Sequence, residues 1–496
     1  MNILFIDPPF KRFTRLNNPY FPLGLTYLAA VCNKNGHKTS VYEVDAIEKS
    51  KTIDVDASHE YQRLELYRKG VNDLCHPIWK EIVDTIIDQD PDVVGITVIT
   101  TKIASAIRTA ELIKKELKDV PIVFGGPHAT LFPEQCLTID SVDYVLRGEC
   151  ENVILQFLSF VEGNIEINGV NNLSYRDKNG KLYHNLMINM IENLDEIPFP
   201  DRNSLLFKEN YSSEDMGVIM ATRGCPYNCT YCAHIFGQKL RKRSVDNVIK
   251  EIKEVNKSYG TIQFSFKDDT FTINKEWITE LCQSIIDERL NIDWDCTTRA
   301  NLLEDDLIKF MKNAGCNDIR LGIETGSQRV LTETKKGITF KDIDKAAELL
   351  NKNKVLWTGY FMYGLPTETL NDMLSTVQFM EKLNPNYAVL GLYNPFPKTE
   401  LFDKGVELGL LNKNVNINHF FNTNPKDYYF IDPDKRILGL DREKFLEVEK
   451  RMQGIFSKHN KKFNNLLIRA ISRKNSYLKN PKLLGRDIIK GFNLLK

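Results

Sequence analysis

Arg223-Gly224-Cys225-Pro226-Tyr227-Asn228-Cys229-Thr230-Tyr231-Cys232 places three cysteines on one short segment at C-x3-C-x2-C spacing. Three thiolates so close together suit an iron–sulfur cluster. A four-iron cluster held by three protein thiolates keeps one iron open, which is the logic of a catalytic metal site. A structural zinc site wants four ligands, and no fourth cysteine follows at finger spacing. His234 is the alternative fourth ligand; two residues after Cys232, it leaves little room for tetrahedral closure.

The pattern around this segment is a strand–helix repeat. Apolar and alternating runs predict strands at 217–222, 261–266, 293–299, 318–323, 355–363 and 387–393. Helical periodicity fills 245–258, 275–287, 304–313, 339–351 and 370–383. Six parallel strands with helical crossovers make a partial (β/α)6 barrel, whose polar strand ends face the site. Those ends carry Asp268-Asp269, Arg299, Glu324 and the run Gly364 to Glu368. Each has a structural alternative: Asp268 and Asp269 could cap a turn, and Arg299 could pair with Glu324.

Residues 1–155 alternate strand and helix in the same way. Strands are expected at 2–6, 37–44, 92–100, 121–124 and 143–146, and helices at 25–35, 82–88, 103–117 and 151–160. This order implies a doubly wound parallel sheet, Rossmann-like, with ligands beyond the carboxyl ends of its strands. Those ends carry Asp7-Pro8-Pro9, Thr97, Gly125-Gly126-Pro127-His128 and Gly148-Glu149. No GxGxxG follows the first strand, and Pro8-Pro9 removes amide donors that a pyrophosphate needs, so a nicotinamide cofactor is not expected.

Residues 156–210 read as a linker holding a hairpin at Asn179-Gly180 and the Pro-rich run Ile197 to Asp201. The barrel then occupies 211–405 and a helical, basic region 406–496. Lys+Arg and Asp+Glu number 66 each, so the chain is neutral overall and not expected to bind nucleic acid. The charge is uneven: residues 458–496 hold eleven Lys/Arg against Asp487 alone, interleaved with Leu and Ile. A basic amphipathic tail suits an anionic membrane surface or an acidic partner; the alternative is a solvated helical cap over the barrel. The N-terminus lacks signal-peptide features and no apolar run reaches membrane-spanning length, so a cytoplasmic location is expected. The other seven of the ten cysteines are scattered and read as buried thiols.

Two resemblances cover about residues 1–405. The three-cysteine motif, with an aromatic residue before its last cysteine, resembles the radical S-adenosylmethionine (SAM) superfamily. Asp7-Pro8-Pro9, Pro22 to Ala29, Val94 to Thr97, Gly125 to Thr130 and Arg147-Gly148-Glu149 resemble the cobalamin-binding domain fused to such enzymes. The resemblance implies a [4Fe-4S] cluster on Cys225, Cys229 and Cys232, with SAM chelated to the open iron. It implies a SAM pocket lined by Tyr231, Asp268, Asp269, Arg299 and Glu324. It further implies cobalamin against Pro8, Thr97, Gly125, Gly126, His128, Gly148 and Glu149.

The Asp-x-His-x-x-Gly motif that supplies a cobalt ligand in related domains is absent, which leaves His128 and His37 as the histidines near the expected ligand loops; a lone histidine in a Gly-Pro-His turn is more often a turn residue, and the alternative is a lower face of cobalt that is open or taken by water or a non-His side chain. The implied activity is methyl transfer to an unactivated carbon, or to phosphorus, through a 5′-deoxyadenosyl radical and methylcobalamin. It needs an external low-potential electron donor, and the substrate is a small or lipid-like molecule. The alternatives are a non-methylating enzyme resembling the anaerobic porphyrin-ester cyclases, and a cobalamin-binding regulator without catalysis.

Overall fold

In the computed structural model, residues 1–15, 21–46, 60–188, 190–472, 474–479 and 484–485 are described. The tail residues Arg473, Lys482, Leu483, Arg486, Asp487, Ile488, Ile489, Lys490, Leu495 and Lys496 lie outside them. The chain divides into two compact units, Met1–Met216 with Val415–Tyr428, and Gly217–Asn414 with Tyr429–Lys496.

The first unit is built on seven strands: β1 (Asn2–Asp7), β2 (Lys38–Glu43), β3 (Val93–Thr97), β4 (Ile122–Gly125), β5 (Tyr144–Leu146), β6 (Leu173–Arg176) and β7 (Leu182–His184). Their order is β2-β1-β3-β4-β5-β6-β7. The first five are parallel, with β1 between β2 and β3. The strand order reverses there, and that is the crevice where open α/β sheets bind ligands. Ile3, Leu4, Phe5, Ile6, Val93, Val94 and Ile96 are buried, as strands covered on both faces require.

The boundary expected near residue 155 moves. The Asn179-Gly180 hairpin is not a linker: β6 pairs antiparallel with β5 and extends the sheet. Residues 415–428 also return to this unit. There Phe420 packs on His128, the Gln135 amide donates to the Val415 carbonyl at 2.5 Å, and that of Asn72 to Phe421 at 2.8 Å. These contacts join residues 280 or more apart, so local periodicity carries no trace of them. A further helix, Glu60–Asn72, was not expected from the sequence: it is highly charged, and only Tyr67, Gly70 and Val71 are buried.

The second unit carries β8 (Val218–Ile219), β9 (Thr222–Arg223), β10 (Arg241–Lys242), β11 (Gln263–Phe266), β12 (Asp293–Thr298), β13 (Cys316–Glu324), β14 (Leu356–Tyr363) and β15 (Tyr387–Leu392). Six of them form one parallel sheet in the order β15-β14-β13-β12-β11-β8, each next to its neighbour in sequence, as a partial barrel demands. The expected strand 217–222 is split, because the amides of Ala221 and Thr222 bond to the Asp268 carboxylate instead of a neighbouring strand. β9 pairs with β10 and closes the base of the cysteine loop.

The crossover helices match their expected spans, with Lys275–Asp287 and Leu370–Leu383 unchanged. Thr339 and Thr369 start two of them with capping boxes, which satisfy orphan amides of the first turn. The helix Arg442–Asn460 covers the sheet edge: the Asn460 side chain accepts from the Ala388 amide and donates to its carbonyl, both at 2.8 Å, as a strand would.

Behind the cysteine loop, the Arg243 guanidinium pairs with Glu251 at 2.5 Å, with both side chains buried. Removing one member strands a buried charge. Glu251→Ala is expected to cost about 3–5 kcal/mol, read as a lowered denaturant midpoint of this unit.

Candidate active site

The cysteine loop runs from β9 to β10. Gly224 starts it at φ +86°, where a Cβ would lie 2.2 Å from the Lys239 carbonyl, so only glycine fits. The Cys225 amide donates to Gly237 at 3.1 Å, and Thr230 is held by the Thr334 carbonyl at 2.9 Å and the Leu401 amide at 2.8 Å. These bonds fix the backbone of the loop that carries the three thiols. All three are unpaired; Cys225 and Cys229 are half-buried and Cys232 is exposed. Thr270 Oγ1 lies 3.7 Å from Cys225 Sγ, and Arg299 donates toward Cys229 Sγ at 3.7 Å. The Cys232 thiol is raised by burial, against which the His234 amide donates to it. Among the described residues no three His, Cys, Asp or Glu side chains converge on a point that would hold one metal ion.

The strand ends surround this loop. The β13–β14 register shifts between Gly322 and Glu324, and Glu324 takes φ +70°. A bulge of this kind re-aims a side chain. Here it brings Glu324 to 2.7 Å from Lys336 Nζ, which in turn lies 3.4 Å from the Tyr231 hydroxyl. A Cβ at Gly322 would fall 2.5 Å from Glu324 Oε1, so the glycine makes room for the pair. Arg299 stacks on Tyr227 at 3.5 Å and donates to the Lys336 carbonyl, while its buried Nε has no partner among the described residues. Tyr231 is pushed well above the usual phenol range by burial, then by Glu324 and Cys229. The structure thus brings together Cys229, Tyr231, Arg299 and Glu324. Lys336 completes the group and was missed, since one of two adjacent lysines in the polar stretch Thr332 to Gly337 carries no signal of its own.

The two aspartates separate. Asp268 is buried and accepts from the amides of Ala221 and Thr222 and, at 2.7 Å, from the Thr222 hydroxyl. Burial pushes its carboxyl up to about 6. It is occupied as a brace on a segment 46 residues earlier, which is not the capping of its own turn given as its structural alternative. Asp269 is exposed, raised by burial of its surroundings and drawn down by His234. Glu368 is a second brace: it accepts from the Gly364 amide at 2.6 Å and from Leu365 at 3.1 Å, and burial lifts it to about 8. A polar cavity of about 290 Å³, lined by Asp295, Asp318, Tyr387 and Arg469 among others, sits at the opposite, N-terminal ends of the strands.

In the first unit the expected ligand edge is one continuous row. Thr97 pairs with Gly125, and a Cβ at Gly126 (φ +92°) would meet Thr97 Oγ1 at 2.8 Å, which requires glycine. The Gly148 amide donates to Thr130 Oγ1 at 2.9 Å, and Glu149 accepts from the Ile191 amide at 2.9 Å. Pro8 is buried beside Asp7, which pairs with Lys102 at 2.6 Å; Asp45 accepts from the amides of Phe10, Lys11 and Arg12. This buried ionic cluster was not read from the sequence, because its members lie up to 95 residues apart.

His128 has no exposed surface: one ring nitrogen meets Thr100 Oγ1 and the other Gln135 Oε1, both at 3.0 Å. Neither nitrogen is available to cobalt, which corrects its reading as a ligand. His37 precedes β2 and so lies at the opposite end of the sheet.

The comparisons with known proteins agree with this geometry. The Radical SAM superfamily model matches residues 219–380, and the B12 binding domain model matches 13–158. The chain is 32% identical over 420 residues to an uncharacterised methyltransferase of Pyrococcus horikoshii, covering 83% of this chain and 84% of that one. It belongs to the cobalamin-binding radical SAM enzymes. It is also 28% identical over 459 residues to an anaerobic magnesium-protoporphyrin IX monomethyl ester cyclase of Rubrivivax gelatinosus, covering 90% of this chain and 76% of that one. The radical SAM methyltransferase TsrM of Kitasatospora setae shares its fold, with TM-score 0.67 at 15% identity over 96% of this chain and 99% of that one.

The cofactors of this radical SAM enzyme are therefore a [4Fe-4S] cluster, SAM and cobalamin. The residues present fit them. Three unpaired thiols lie on one loop, an unpartnered buried guanidinium N–H lies beside them, and a glycine-lined edge runs along the first sheet.

Cys225→Ala, Cys229→Ala and Cys232→Ala are each expected to lower iron and acid-labile sulfide in the reconstituted protein to background. His128 gives a pH signature. Burial lowers it to about 4, so the folded state keeps it neutral while the unfolded chain takes up a proton below about 6.5. The unfolded state then binds more protons, and stability falls as pH drops from about 6.5 to 4, by about 3 kcal/mol in all. His128→Asn is expected to flatten that limb in denaturant titrations across this range.

Proposed function

We propose that this enzyme methylates an unactivated carbon of a small-molecule substrate. The carrying observation is that one chain holds both a three-thiol loop at barrel strand ends and a B12 binding domain, with a methyltransferase relative aligned over both units. The bound cofactors together supply a 5′-deoxyadenosyl radical and a transferable methyl group, which an sp3 carbon without a lone pair requires. The net reaction takes one substrate C–H, two SAM and two electrons from an external low-potential donor. It yields the methylated substrate, S-adenosylhomocysteine, 5′-deoxyadenosine and methionine.

The chain's own residues bind and orient. Arg299 holds the SAM carboxylate through its unpartnered Nε–H, a charge-assisted bond in a buried setting. The exposed Asp269 takes the SAM ammonium, and Tyr231, set by Lys336 and Glu324, lies beside the adenosine. Asp268 and Glu368 keep the two flanking loops in shape.

Anaerobic reconstitution with iron, sulfide and hydroxocobalamin, followed by methyl-labelled SAM and a low-potential reductant, tests the reading. Equal amounts of 5′-deoxyadenosine and S-adenosylhomocysteine, with label in an added acceptor, are expected. Deoxyadenosine with an acceptor changed but unlabelled would replace this reading with the non-methylating one. For the pocket, Arg299→Lys is expected to weaken SAM binding by about tenfold or more while iron content holds, because lysine cannot reproduce the planar fork.

A further inference from the structure

The helix Phe463–Ser472 is built inside out. A surface helix ordinarily turns its apolar stripe inward. Here the inward residues are polar. Asn465 is buried and donates to the His459 carbonyl at 3.1 Å, while Arg469 donates to the carbonyls of Asn460 and Asn465 and stacks on Tyr387 at 4.7 Å. The outward residues are Phe463, Leu467, Ile468 and Ile471, with Phe463 70% and Ile471 61% exposed. Positions 463, 467 and 471 are four apart and form one stripe. Leu478 of the next helix, Lys474–Lys479, is 72% exposed.

Cations flank this stripe. Lys458 and Lys474 are exposed near it along the chain, while the exposed Lys462 turns its ammonium toward Asn384 Oδ1 (3.5 Å) and His459 Nδ1 (3.4 Å); residues 458–496 hold eleven Lys/Arg against one acid, although the chain as a whole is neutral. Leaving several large apolar side chains in water is unfavourable, whereas one anionic, amphiphilic surface satisfies both the stripe and its cations. A second copy of the chain would set two such basic segments against each other, which like-charge repulsion opposes. No helix among the described residues is long and apolar enough to cross a membrane, and ten residues span only about 15 Å, so the contact lies flat.

We propose that the helix Phe463–Ser472 is a docking face for an anionic lipid surface, its Phe463–Leu467–Ile471 stripe entering the acyl boundary and its flanking lysines meeting the headgroups. This places a peripheral membrane contact on the barrel unit without involving the cluster loop.

The test uses the full-length, reconstituted protein and extruded vesicles of phosphatidylcholine, with and without 30% phosphatidylglycerol. Co-sedimentation with the anionic vesicles alone is expected, weakening as salt rises. Leu467→Asp and Ile471→Asp should each weaken binding about tenfold or more, and Lys458→Glu or Lys474→Glu severalfold. The exposed positions leave folding intact, checked by unchanged iron and cobalamin content. The indole of the Phe463→Trp variant should shift its emission to the blue on vesicle addition and be quenched by brominated acyl chains.

No binding to either vesicle would overturn the proposal. So would binding unaffected by Leu467→Asp and Ile471→Asp, which would mark simple electrostatic adsorption. Concentration-dependent dimerisation without lipid, lost in Leu467→Asp, would assign the face to a second copy. Lipid-independent capture of a polyacidic peptide abolished by the same variant would assign it to an acidic protein.

Discussion

The active site hangs on the buried carboxylate of Asp268. Three donors converge on it from Ala221 and Thr222, just before the cysteine loop begins. By taking those amides away from a regular strand, it ends β8 and starts the β9–β10 pair that frames Cys225, Cys229 and Cys232. Gly224 then permits a turn against the Lys239 carbonyl that no side chain could make. Burial of an acid is costly unless its oxygens are bonded, and here they are. The brace and the thiols therefore form one unit, although only the thiols carry cofactor chemistry.

The same economy appears at the other strand ends. A bulge in β13 turns Glu324 toward Lys336, and Gly322 leaves the space for their contact. The pair sits under Tyr231, while Arg299 bridges Tyr227, Cys229 and the Lys336 carbonyl. Charge at the site is thus arranged before any ligand enters, with an N–H of Arg299 still to be satisfied. Preorganised donors of this kind bind an anionic group without first having to reorganise.

The first unit uses a different device. The edge expected to take its ligand carries Gly125 and Gly126 at the end of β4 and Gly148 after β5, and the Asp7–Lys102–Asp45 cluster ties the loop after β1 to the start of the helix Ile103–Glu116. His128 belongs to the packing of this edge, wedged between Thr100, Gln135 and Phe420. A histidine in a Gly-Pro-His turn is more often a turn residue than a ligand, and residue type alone does not show which atoms fill its hydrogen bonds.

What the sequence alone determined was whatever is written locally. Strand and helix periods set the order of elements in both sheets, and the cysteine spacing sets the cluster. Turn chemistry at Asn179-Gly180 and the glycines at strand ends set where the chain bends. Tertiary structure decided whatever depends on partners far apart in the chain. Asp268 braces Ala221 and Thr222, His128 is packed between Thr100 and Gln135, and Lys336 joins the group around Tyr231. The hairpin became two further strands of the first sheet, and residues 415–428 returned to that unit. The helix Phe463–Ser472 turned its apolar side outward because Asn460, His459 and Tyr387 offered its polar side better partners. Periodicity reports that a helix has two faces; only the surfaces packed against it decide which one is hidden.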